Sequence, residues 1–153
     1  MVSMNMKRNA CIAFMAGLLV MQSACGYFMG GTWENDPKNW ERAFNSKKPT
    51  DVVILHSRYW RSTHWSYEYE YYFELGDAPV LRDQLFAKNQ LRRLSGDDAV
   101  AVKVNLPDDA PPWFMPKGAA DYEVSVHATD AWSHFTVMID KSSGNVYLYD
   151  RQL

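Results

Sequence analysis

Cysteine is nearly missing from this chain of 153 residues: there are two, Cys11 and Cys25, and none after position 25. Residues 26–153 therefore hold no disulfide, and no thiolate that could act as nucleophile or zinc ligand. The apolar stretch Ala10 to Met21 falls short of the about 20 residues that a transmembrane helix needs. Histidine is scarce as well. His56, His64, His127 and His134 show no close zinc-type spacing, so neither a metal nor a cofactor is expected. There is no surplus of positive charge, with a formal net charge of −2, which argues against a nucleic-acid surface. No glycine-rich phosphate loop and no Gly-x-Ser-x-Gly elbow occurs.

The N-terminus is organised like a secretory signal. Lys7 and Arg8 precede the apolar stretch, small residues Ser23 and Ala24 follow it, and no acidic residue occurs before Glu34. Met1, Met4 and Met6 are all possible starts. A membrane-spanning helix and ordinary cleavage after Cys25 are the competing readings. The stretch Gln22-Ser23-Ala24-Cys25 resembles the lipobox of bacterial lipoproteins, with Gln22 standing where such proteins usually carry Leu.

That resemblance implies removal of residues 1–24 and lipid attachment at Cys25, so that the protein is held to a membrane by acyl chains. Burial of each methylene contributes about 0.8 kcal/mol, and two or more chains give stable anchoring. Gly26 follows the cysteine, which implies the outer membrane, facing the periplasm, where the host has two membranes. Cys11 reads as a small hydrophobe within the apolar stretch.

Residues 25–32 read as a tether loosened by Gly26, Gly30 and Gly31. Residues 33–153 are long enough for one domain. Aromatic residues make up 14% of the chain and are the expected source of core stability. A short helix is predicted from Asp36, with Pro37 in its first turn and Trp40, Ala43 and Phe44 on one side. Residues 52–75 predict a long antiparallel hairpin. Within it Trp65, Tyr67, Tyr69, Tyr71 and Phe73 share one side, and Ser66, Glu68, Glu70, Tyr72 and Glu74 share the other. Period 2 predicts aromatics inward and carboxylates in water.

Ala78 to Leu94 predicts the main helix, with Arg92 and Arg93 in its last turn. Val100, Val102, Val104 and Leu106 alternate and predict a strand. Further strands are predicted over 122–129, 134–140 and 145–149, with a tight turn through Gly144 joining the last two. The sum is an α+β domain: an antiparallel sheet of about five or six strands, one main helix packed on it and a short N-terminal helix.

Two segments are candidates for contact with a partner. Asp108 to Lys117 contains Pro111, Pro112 and Pro116, which stiffen a loop carrying Trp113 and Phe114. Presenting these aromatics would cost little ordering entropy. Packing of the pair into the end of the core is the competing reading. The second candidate is Arg58-Tyr59-Trp60-Arg61, with His64 and Trp65 at the hairpin tip. Trp113 and Phe114, with Arg58 and Arg61 as charged neighbours, predict a non-enzymatic envelope protein that binds a protein or envelope component. One alternative is an enzyme acting on cell-wall glycan or peptide with Glu68 or Glu70 as acid or base. Solvation alone also explains carboxylates on a strand. The other alternative is a purely structural envelope protein.

Overall fold

The computed structural model describes residues 30–63, 68–127 and 134–153. The signal-like segment, Cys25, and the hairpin tip with His64 and Trp65 lie outside the described residues. Seven strands form one antiparallel sheet: β1 (Gly31–Glu34), β2 (Ile54–Arg61), β3 (Tyr69–Leu75), β4 (Leu91–Leu94), β5 (Tyr122–His127), β6 (Thr136–Asp140) and β7 (Val146–Gln152). Their spatial order is β1-β2-β3-β7-β6-β5-β4. Among the described residues three α-helices accompany them: α1 (Asn39–Phe44), α2 (Pro79–Asn89) and α3 (Asp97–Val104). The class is α+β, with more strands and helices than periodicity predicts.

The expected hairpin is present. Arg61 pairs with Tyr69 and Ile54 with Leu75, with an irregularity between Ile54 and His56. Strand β1 adds outside it, Gly31 opposite Arg61 and Glu34 opposite Arg58, so pairing already includes two residues of the expected tether. Gly30 touches this seam closely: a Cβ there would lie 2.4 Å from the backbone of Ser62. Helix α1 is tied to the edge strands through Asn39. Its Nδ2 donates to the Trp33 carbonyl at 2.9 Å and to Ser57 Oγ at 3.1 Å. Arg42 donates to Asn39 Oδ1 at 2.8 Å and stacks over Trp33 at 4.6 Å. Asp36 accepts from the Lys38 N–H at 2.8 Å, but the helix begins later than expected, at Asn39, with Lys38 at its N-cap and no side-chain cap hydrogen bond.

Two sequence readings are corrected. The main helix stops at Asn89, because Gln90 takes a left-handed φ of 48°. Leu91 to Leu94 then form the far edge strand, which places Arg92 and Arg93 on an exposed edge, Arg93 pairing with Glu123 at 2.9 Å. Charges on an edge oppose pairing with foreign strands. The second correction concerns Val100 to Leu106, which are mostly helical. Asp97 and Asp98 occupy the first turn of α3 and Lys103 the last, both favourable to the helix dipole. Ala99 is buried and Val102 and Leu106 half-buried, while Val100 is exposed. The inward spacing of three and four residues outweighed the valine alternation.

Strand β4 explains why both faces of the sheet are covered. Helix α2 leads to this edge across one face, and α3 with residues 105–117 returns across the other. The first face, under α1 and α2, buries Trp40, Phe73, Leu75, Leu81, Val146 and Leu148. The second, under α3, buries Tyr72, Phe114, Met115, Val124, Met138 and Tyr147. Each such side chain contributes roughly 1.5–3 kcal/mol on burial. The expected wet face of β3 is therefore a second core: Tyr72 is 0% and Glu70 9% exposed. The turn between β6 and β7 is as expected, Gly144 having a φ of 76°.

Candidate functional site

Residues of β1, β2, β3 and β7 that alternate onto the α3 face open into a cleft of about 250 Å³. Thr32, Arg58, Trp60, Glu70 and Arg151 line it from the sheet, and Pro107 and Asp109 from the covering loop. The register sets this grouping. Thr32 lies opposite Trp60, Trp60 opposite Glu70, and Glu70 opposite Arg151, so four adjacent strands present one row.

The charged groups are held in place. Arg58 donates through Nε to Glu34 and through a terminal nitrogen to the Asp109 carbonyl at 2.7 Å. That second bond ties the covering loop to the sheet. Tyr149 donates its hydroxyl to Glu70 Oε1 at 3.2 Å, and Arg151 Nε lies 3.9 Å from the same oxygen. Burial raises the Glu70 carboxyl above its usual range, and the Asp109 charge adds to this. The Tyr72 and Tyr149 hydroxyls and Arg151 pull the other way. The arrangement can bind a polar group between guanidinium and carboxylate. It can also keep a proton on Glu70 above the usual carboxylate range.

The covering loop is anchored rather than open. Lys103 of α3 donates to the Met115 carbonyl at 2.5 Å and to the Lys117 carbonyl. Lys117 pairs with Asp140 at 2.6 Å. Asp140 also accepts from the Ser142 N–H at 2.8 Å and hydroxyl at 2.7 Å. Lys117 first, and then Ser142, hold its carboxyl far below the usual range.

The residues singled out from sequence separate. Phe114 is 5% exposed and packs edge-on against Tyr72 at 5.0 Å and Tyr147 at 5.6 Å. This burial corrects its reading as a contact group: apolar residues of the loop fill the second core. Trp113 is half-buried and stacks on His56 at 5.3 Å. Arg58 lines the cleft, whereas Arg61, three residues on and therefore on the opposite side of the strand, belongs to the α1/α2 face, opposite Tyr69. Glu70 lines the cleft and Glu68 does not. Glu74 is committed within the sheet, accepting from Tyr147 at 2.8 Å and Asn145 at 3.2 Å.

Arg151 and Asp109 carried no individual signal in the sequence. Extending the Tyr147–Tyr149 alternation by one period would have placed Arg151 on the same face. Nothing local marks Asp109, because its position depends on the path of the loop. Among the described residues no group of three His, Cys, Asp or Glu side chains could hold a metal ion, and no helix is long and apolar enough to cross a membrane. No protein-family model, curated protein or solved structure matches the chain.

Proposed function

We propose that this protein is a small cell-envelope lipoprotein, anchored through Cys25, whose folded domain binds a protein or envelope component without turnover. The observation that carries the binding reading is the single row Thr32–Trp60–Glu70–Arg151, opening beside Arg58 and Asp109. Arginine and tryptophan at a partly desolvated opening are the residue types that dominate binding energy. Arg58 and Trp113 remain contact groups in this reading, joined by Trp60 and Arg151. The outer-membrane, periplasm-facing location rests on the N-terminal resemblance alone.

The test is site-specific photocrosslinking from position 60 in intact envelopes. A discrete adduct that disappears with Arg151→Ala is expected. Absence of any adduct, with the protein fully delivered to the envelope, overturns the binding reading. Palmitate labelling of the wild type beside Cys25→Ser tests the anchor separately, and an unlabelled wild type overturns it.

A second reading rests on the raised Glu70 carboxyl facing a second carboxylate, Asp109. Such a pair suits acid–base cleavage of cell-wall glycan or peptide. Turnover of purified cell wall that vanishes in Glu70→Gln would replace the binding reading with this one.

A further inference from the structure

The α1/α2 face carries a groove of about 440 Å³ that the cleft chemistry does not use. Its volume falls in the range of about 300–1,000 Å³ typical of small-molecule sites. Trp40 and Phe44 of α1, Tyr71 of β3 and Phe135 give it aromatic sides. Asp150 of β7 lines the same groove. It stands directly opposite Tyr71 in the β3–β7 register.

We propose that this groove is a binding site for a small organic ammonium ligand, with Asp150 as its counter-ion and the aromatic rings as its walls. Three observations lead there. Aromatic faces attract cations by their ring quadrupole, most strongly where water is excluded. Asp150 accepts from the Tyr69 hydroxyl at 3.0 Å and from the Arg151 N–H at 2.9 Å, yet no cation among the described residues forms an ion pair with it. Its carboxyl is raised by burial, only partly offset by these donors, by His134 and by the Tyr71 hydroxyl, so an ammonium entering the groove relieves an existing cost of ionisation.

Lys88 and His127 also line the groove. Lys88 is exposed on α2, where solvent screens its field. Asp150 lies on the sheet floor, so the charge preference of the groove follows the carboxylate. This inference concerns the opposite face from the Glu70 cleft and stands whether or not that cleft binds a partner.

The experiment uses the full-length protein in phospholipid nanodiscs, with empty discs as reference. Calorimetric titrations compare benzylamine, benzyl alcohol and benzoate, three probes of one shape and different charge. Benzylamine is expected to bind about tenfold tighter than benzyl alcohol, the effect of one charged hydrogen bond, and benzoate weakest. In Asp150→Asn the advantage of benzylamine is expected to vanish. In Phe44→Leu both benzylamine and benzyl alcohol weaken together and the charge preference persists. Equal affinity for all three probes, tightest binding of benzoate, or no binding at millimolar concentration overturns the proposal. The wild-type series decides this even where Asp150→Asn fails to fold.

Discussion

The two faces of one sheet both bury aromatic side chains but differ in polar content. Under α1 and α2 the sheet contributes Phe73, Leu75, Val137, Val146 and Leu148, and its polar groups are few: Ser57 bonded to Asn39, and the pair Tyr69 and Asp150. Under α3 the tyrosines Tyr72, Tyr122, Tyr147 and Tyr149 dominate, alongside Glu70, Glu74 and Asp140. The difference teaches how a sheet keeps carboxylates away from water. Glu74 and Tyr147 are cross-strand neighbours, and Glu70 is reached diagonally by Tyr149. Each carboxylate meets a hydroxyl from the next strand, which offsets part of its desolvation. The α1/α2 face combines packing with the Asn39 hydrogen bonds to Trp33 and Ser57, and it leaves a groove beside α2. The polar face needs its loop pinned over it.

The comparison is broken most severely by Phe114→Ala, which should cost about 3–5 kcal/mol by opening a cavity among Tyr72, Tyr147 and Tyr149. Phe44→Ala on the other face, where the side chain is half-buried, should cost less. Urea unfolding of both variants checks the order, and equal losses would show that the faces are equally dependent on their covers.

Asp140→Asn comes next. It should cost about 2 kcal/mol at neutral pH by releasing Lys117 and the β6–β7 turn. Its folded pKa is depressed, so the contribution is present above the unfolded value of about 3.9 and is lost as pH falls below it. The gap between wild type and variant should therefore close on acidification in thermal unfolding curves. A gap that persists at low pH would refute the ion-pair account.

Trp113→Ala should cost about 1 kcal/mol, the ring being half-buried on His56. A loss as large as that of Phe114→Ala would place Trp113 in the core as well. The smallest effect is that of Glu70→Gln. Because the folded carboxyl is raised, its contribution is present below the unfolded value of about 4.3 and is lost as pH rises through the folded value. Glu70→Gln should flatten that decline, the opposite sign to Asp140→Asn. An unchanged pH profile would mean that Glu70 is solvated like a surface carboxylate.

What the sequence by itself determined is local. The pattern of residues 52–75, with strict alternation in its second half, specifies a hairpin, and Gly144 specifies a tight turn, because both are set by backbone geometry within a few residues. Only the tertiary structure decided what lies over each strand. Whether Glu70 and Tyr72 face water depends on α3 and residues 105–117 crossing that face, and the local pattern of Val100 to Leu106 pointed to a strand. The same crossing buries Phe114, brings Asp109 beside Glu70 and joins Arg58 to the loop. Strand order then sets Arg151 next to Glu70 from 81 positions away in the chain (Arg151 against Glu70). Period and propensity act between neighbours in sequence. Burial, charge pairing and cavities arise between neighbours in space, after the chain has crossed its own sheet twice.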